Sequence, residues 1–465
     1  MRNCMPKQYR VKCHETDQLC RGLVTFNNSV FAIDGLLDGE MAKIELVYGK
    51  DRRSTTAKLA SLEECSPCRK EPFCKAFQRC GGCQLQYASY EKQLSLKKAA
   101  ASRLLSSFAA IPDVSGMQNP YHYRHKIHAT FYRSRRGMEL GIYEENTHRV
   151  VTVSDCSIQN KTANAVLRTI RKLAQTFCLS AYNEDTRQGL LRHVLIRCGY
   201  ATNQIMVVLV IGQEDFPKRN RFIEQLRAAH PEITTIIQNI NNKKTSMVLG
   251  DRETVLYGKG YIEDSLCELT FRISPKAFYQ VNPEQTELLY QTAIQYAKLT
   301  GQETIFDAYC GTGTIGLIAA KSALHVIGIE NNASAVRDAV ANAKTNSIEN
   351  IEFIQADAAN YINSPAAKNN RPDVVFLDPP RSGASEVFLK ALVSLAPQRV
   401  VYVSCNLETL ARDLAYLVKK GYKVEEIKLV DMFPWTVNCE AVCLLSNTQK
   451  NKKESYITLD VEMED

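Results

Sequence analysis

The 465 residues contain no apolar run approaching the ~18 that a membrane-spanning helix needs. The opening segment MRNCMPKQYRVKCHE has no apolar centre of the signal-peptide kind, so a cytoplasmic location is expected. Internal repeats and low-complexity tracts are absent, which excludes a repeat architecture. What remains is ordinary globular composition, 45% hydrophobic and 23% charged, in a chain long enough for two or three domains.

Charge is unevenly spread. Of the net +8, residues 1–150 contribute 24 Lys/Arg against 15 Asp/Glu, and the other 315 are near balance at 34 against 35. A basic first third suits a polyanionic partner, since phosphate neutralisation supplies most nonspecific affinity for nucleic acid. A solvated basic surface accounts for charge alone equally well. Sixteen cysteines in a long chain without an export signal read as metal ligands or catalytic thiols rather than disulfides. Five of them, Cys65 to Cys83, fall in the loop-like stretch CSPCRKEPFCKAFQRCGGC.

Three segments differ in pattern. Residues 1–64 alternate five short strand patterns with Gly/Asp/Asn turns, as in a small OB-type β-barrel that binds nucleic acid or serves as a structural cap. Residues 65–275 mix strands and helices in an α+β pattern, with a helix predicted over 90–108 that carries basic residues on one face. Residues 276–465 alternate helices with apolar strands, TIFDAYC, HVIGIE, VVFLDPP and RVVYVSC, which predicts a doubly wound α/β sheet with ligands at its carboxyl edge.

That edge collects the chemistry. DAYCGTGTIG (307–316) places Gly311, Gly313 and Gly316 in a G-x-G-x-x-G turn, and Glu330 ends the next strand, where an acid meets ribose hydroxyls. NAD and S-adenosylmethionine (SAM) both need this arrangement. Asp307 at the strand tip suits a charged amino group rather than a pyrophosphate, Asp357 is placed to accept from an adenine amino group, and the rigid turn of LDPPR (377–381) suits a flat base. Together these favour SAM. Cys405, at the tip of RVVYVSC, is either a small buried hydrophobe or a nucleophile.

The motifs FYQVN (278–282), DAYCGTG (307–313), LDPPR (377–381), VSCN (403–406) and NCEAV (438–442) occur in one order. In them the chain resembles the SAM-dependent RNA uracil-5-methyltransferases, specifically the ribosomal-RNA branch with a TRAM domain and an iron–sulfur cluster. The resemblance covers all but the tail from about 447. It implies a class I, Rossmann-like α/β methyltransferase domain behind an OB-like TRAM barrel and a central α+β domain. It further implies Cys405 as nucleophile and Glu440 as general base, with Gln280, Tyr309, Gly311, Thr314, Glu330, Asp357 and Asp378 around SAM. By the same resemblance Cys74, Cys80, Cys83 and Cys156 hold a [4Fe-4S] cluster. The chain departs from the family pattern at Asn438 and Ala441, where His and Thr are usual, at Leu407 in place of Pro, and at Thr314 in place of Asn.

Uracil C5 is a weak nucleophile until a thiolate adds to C6, and a base must later remove the C5 proton. One accessible thiol and one carboxylate are therefore the minimum. RNA is the implied partner, ribosomal first and transfer RNA second, with neither a membrane nor an obligate protein partner indicated. A duplex hides C6, so the uridine must be flipped, and YHYRHKIHATFYRSRR (121–136) interleaves aromatic and basic residues for contact with unpaired bases. Tyr123, Arg124, Lys126 and Arg133 are the leading candidates there, against the plainer reading of a strand with one wet face. The C-x5-C-x2-C spacing of Cys74, Cys80 and Cys83 suits zinc and iron–sulfur alike, the radical-SAM spacing is absent, and Cys65 and Cys68 compete for a ligand place. An NAD-dependent dehydrogenase would leave DPPR, VSCN and Glu440 idle, and a noncatalytic RNA-binding factor would leave the whole cofactor site idle.

Overall fold

A computed structural model describes residues 7–48, 55–135, 137–144, 147, 149–245 and 247–448. Arg136 and the polar tail from 449, whose end reads in sequence as a possible strand, lie outside them. Among the described residues no helix is long and apolar enough to cross a membrane.

The C-terminal sheet is built from β1 (Thr304–Ala308), β2 (His325–Glu330), β3 (Ile351–Gln355), β4 (Val374–Leu377), β5 (Arg399–Ser404), β6 (Tyr422–Val430) and β7 (Glu440–Asn447). Their spatial order is 3-2-1-4-5-7-6, with β1 to β5 parallel and β7 antiparallel to both β5 and β6. Alternation along each strand explains the apolar sequences. Val374, Phe376, Val401 and Val403 enter one core, while Val375, Leu377, Val400 and Tyr402 enter the other, so both faces are covered. Strand order reverses between β1 and β4, and a crevice opens there at the carboxyl ends.

Because β7 runs against β5, its first residues lie at that same edge. Ser404 pairs with Ala441, which sets Glu440 beside Cys405. Both are delivered by tight local structure. Asn406 caps the helix Leu407–Lys419 by accepting from the backbone N–H groups of Glu408 and Thr409.

The central sheet orders seven strands as 150–152, 137–143, 126–134, 191–198, 205–211, 233–240 and 252–257, antiparallel except for the parallel pair 205–211 and 233–240. Helices Lys161–Thr176 and Arg219–Ala229 cover one face. The hairpin Ile262–Leu266 and Leu269–Ile273 covers the other and continues into the C-terminal core. Strands 191–198 and 205–211 are consequently buried along their full length. Residues 7–48 and 55–64 form two three-stranded antiparallel sheets around Val11, Cys13, Val24, Ile33, Ala42 and Ile44, six strands where the sequence suggests five.

Helix Tyr90–Leu105 and the short strand Val114–Ser115, grouped by sequence with the central segment, pack on the C-terminal sheet instead. Its basic face is not wholly wet. Lys97 and Asp431 form an ion pair of 2.5 Å with no solvent exposure on either side chain. Lys97 Nζ also donates to the Phe433 carbonyl at 3.1 Å, and Tyr90 Oη donates to Asp431 Oδ2 at 2.7 Å. Removing one member strands a buried charge, whereas replacing both does not. Lys97→Met is expected to cost about 3–5 kcal/mol in urea unfolding, and Lys97→Met with Asp431→Leu to recover most of it. Equal losses in the single and double variants would show that packing, not charge pairing, sets the effect.

Candidate active site

The crevice is a cleft of about 1540 Å³, larger than the roughly 300–1,000 Å³ usual for a small ligand. Cys405, Glu440, Asp378, Gln280, Tyr309, Gly311 and Glu330 all line it. The structure thus brings together seven residues that the sequence scatters over 160 positions.

Cys405 projects from the tip of β5. Its flanks are pinned by Asn406 N donating to Ser404 Oγ at 3.2 Å and by Asn406 Nδ2 donating to the Arg381 carbonyl at 3.0 Å. Burial pushes its thiol up to about 11, helped by Glu440 and Asp378 and opposed by the Arg381 guanidinium. Glu440 is 3% exposed. Burial, then Asp378, pushes its carboxyl up to about 8, again against Arg381. Arg381 is thus the cation shared by thiol and acid. It stands in the quoted LDPPR motif, where only the aspartate was singled out.

The glycine loop is held by acids. Asp307 Oδ2 accepts from Gly316 N at 2.8 Å, and a Cβ on Gly316 would sit 2.8 Å from that same oxygen. A side chain at 316 would have to displace that oxygen. Glu330 accepts from Gly311 N at 3.1 Å and from Asn332 N at 2.7 Å. Tyr309 occupies the left-handed region at φ 64°, which a bulky residue adopts under constraint, and its ring lies 5.5 Å from Phe388. Burial lifts both Asp307 and Asp378 to about 7. A cationic ligand in this cleft would restore their charge.

Two expected cofactor residues sit elsewhere on the rim. Thr314 donates to Tyr290 Oη at 3.4 Å and faces a smaller cavity of about 20 Å³ shared with Phe278, Tyr279, Asp307 and Asp378. Tyr279 Oη, buried in that cavity's wall, has no hydrogen-bond partner among the described residues. Asp357 caps the short helix Ala358–Ile362 through Asn360 N at 3.0 Å and lies outside the cleft lining, where it adds to the burial that chiefly raises the Tyr309 phenol.

Cys74, Cys80, Cys83 and Cys156 line the same cleft. The Cys83 thiol is raised to about 12 by burial, with added contributions from Cys156, Cys80 and Cys74. Among the described residues no group of three His, Cys, Asp or Glu side chains is arranged to hold a metal ion. Of the residues proposed to touch RNA, Arg124 and Lys126 line the cleft. Burial and the nearby Arg197 and Arg124 draw the Lys126 ammonium down to about 7. Arg133 is exposed beyond the lining. Tyr123 is corrected: at 3% exposure its hydroxyl donates to the Pro434 carbonyl at 3.0 Å, so it packs under the 431–439 loop and offers no face to a base.

Sheet order and the acid-braced glycine loop are those of an α/β, SAM-dependent methyltransferase. More particularly, residues 89–448 match the tRNA (uracil-5-)-methyltransferase family, and the chain belongs to it. Its activity is the SAM-dependent methylation of uracil C5 in RNA. An uncharacterized RNA methyltransferase of Halalkalibacterium halodurans is 40% identical over 429 residues, covering 91% of this chain and 93% of its own. One from Clostridium acetobutylicum is 38% identical over 449 residues, covering 95% and 97%. Among solved structures, the tRNA (uracil-54, C5)-methyltransferase of Pyrococcus abyssi with S-adenosylhomocysteine superposes at a TM-score of 0.76 with 24% identity, covering 94% of this chain and all of that one.

The raised acid has a testable sign. Glu440 is neutral in the ligand-free fold at low pH, and that contribution to stability is lost as pH rises through about 8. Glu440→Gln stays neutral throughout. Its melting temperature should exceed the parent's by a margin that widens from about pH 4.5 to about 8 and then levels off, reaching roughly 2–4 °C. A margin independent of pH would show that Glu440 is not the group held uncharged.

Proposed function

We propose that the chain methylates C5 of a uridine in 23S ribosomal RNA, with Cys405 as nucleophile and Glu440 as base. The observation that carries this reading is the pairing of β5 with β7, which sets the Cys405 and Glu440 positions side by side at the cofactor crevice. The Cys405 thiolate adds to C6, and the electron pair of the C5–C6 double bond shifts to make C5 nucleophilic. C5 then displaces the methyl group of SAM and leaves S-adenosylhomocysteine. Glu440 takes the C5 proton, the C5–H pair re-forms the double bond, and the C6–S bond breaks to return the thiolate. Arg381 favours both anions, opposing burial at the thiol and at the carboxyl. Asp307, Asp378 and Gln280 face the cofactor in this scheme, and Glu330 and Gly311 shape its loop, with Tyr309, Thr314 and Asp357 at the rim. Asn438, where the family pattern has histidine, carries no titratable proton, so the proton on Glu440 leaves to water.

The three-part division of the sequence, 1–64, 65–275 and 276–465, is proposed with it, the middle part lending its helix Tyr90–Leu105 and strand Val114–Ser115 to the C-terminal sheet. The shared core of the two N-terminal sheets supports a TRAM-like barrel, and Leu19, Cys20 and Arg21 from it reach the cleft. A [4Fe-4S] cluster on Cys74, Cys80, Cys83 and Cys156 is supported by an all-thiol donor set whose members influence one another. Binding would draw the thiols together and release their protons. When bound, such a cluster supplies structure, since no step above needs an electron. Transfer RNA in the cytoplasm is the second reading, favoured by the substrate named for the Pyrococcus abyssi structure.

RNA fragments carrying 5-fluorouridine test the chemistry, because fluorine does not leave as a proton. Incubation with SAM should give a protein–RNA band on denaturing gels that Cys405→Ala abolishes, with ribosomal fragments trapped in preference to transfer RNA. A band that persists in Cys405→Ala would remove that residue from the mechanism. Protein purified without oxygen should carry about four irons per chain; zinc alone would refute the cluster.

A further inference from the structure

Residues 431–439 join β6 to β7 and therefore set where Glu440 begins its strand. Trp435 stands at the centre of this connection with φ 70°, a left-handed conformation that a bulky side chain holds only when its surroundings dictate it. Its surroundings do. The Trp435 N–H donates to Gln93 Oε1 at 3.1 Å, and the indole Nε1–H donates to the Pro120 carbonyl at 2.8 Å. The Trp435 carbonyl accepts from Gln84 N and Leu85 N, both at 2.9 Å. Its ring packs edge-on to Phe73 at 5.0 Å and against Tyr121 at 5.1 Å, with Cys83 and Cys156 packed against the same cluster.

The cysteine segment is thus hydrogen-bonded, through one strained residue, to the loop that ends in Glu440. Between the two, Thr436, Val437 and Asn438 line the cleft. Cys405 is fixed by a separate set of bonds from Ser404, Asn406 and Arg381, and the glycine loop by Asp307 and Glu330. A disturbance at Trp435 therefore reaches Glu440 first.

We propose that Trp435 is a positioning residue for Glu440, fastening the connection that leads into it to the cysteine segment, so that its loss impairs proton removal from C5 and spares thiol attack and methyl transfer. This rests on the roles proposed above for Cys405 and Glu440. If proton removal alone slows, the methylated covalent adduct accumulates, because the C6–S bond cannot break until the C5 proton leaves.

The test uses the full chain, SAM and unmodified RNA bearing the target uridine, with the adduct quantified on denaturing gels and SAM affinity measured alongside. Glu440→Gln is the control and should accumulate adduct. Trp435→Ala should lower kcat on the order of 10- to 100-fold, the scale of a small misplacement of a reacting group, and should accumulate adduct while binding SAM normally. Trp435→Phe, which loses the indole N–H and part of the ring but keeps an aromatic face, should show the same partition more weakly, and it decides the matter if the alanine variant does not fold. Variants that bind SAM yet turn over slowly without adduct, or turn over normally, overturn the inference. Absence of adduct in Glu440→Gln overturns instead the role of Glu440.

Discussion

An ammonium group with no access to water underlies the working end of this molecule. Lys97 meets Asp431 at 2.5 Å, and the pair joins a helix from the first quarter of the chain to the connection between β6 and β7. Once buried, neither charge tolerates the loss of the other, so this connection is held firmly from below. Asn282 Nδ2 adds a bond to the Met432 carbonyl at 3.0 Å, and Tyr123 adds one to Pro434. Glu440 follows from that anchored segment as the first residue of β7. Its proximity to Cys405 is then a matter of strand direction rather than of any bond between the two.

Three acids at the crevice above this base are poorly solvated. Asp307, Asp378 and Glu440 all sit above the ordinary carboxylate range, and burial is the leading cause in each. Such a site is uncomfortable when empty and suits a ligand that carries positive charge. SAM offers a sulfonium and an ammonium group, whereas a dinucleotide would bring phosphates into the same place. The charge balance of the pocket therefore explains why one glycine-loop fold serves a methyl donor here. On the proposed chemistry, Arg381 then holds the balance between an anionic thiolate and an anionic base at the reacting edge.

Much of this was legible in the sequence for a local reason. Alternating helices and uniformly apolar strands follow from a sheet covered on both faces, and the tips of those strands were visible as DAYCGTG, LDPPR and VSCN. What escaped was non-local. That β7 inserts antiparallel between β5 and β6 is written in no short stretch, yet it decides where Glu440 lies. Tyr123 read as a base-stacking residue because its neighbours are basic, and it is buried because a loop some 300 positions later covers it (Pro434 accepts its hydroxyl). Lys97 belonged to a helix face that looked wet until Asp431, distant in sequence, turned part of it inward.

Release of tritium from RNA labelled at uridine C5, followed with methyl transfer from SAM, tests the central claim most directly. The account predicts one tritium released for each methyl transferred, with both lost together in Cys405→Ala. Methyl transfer without tritium release would place the methyl group on an atom other than C5, and the thiol–carboxylate chemistry assigned to this cleft would be wrong.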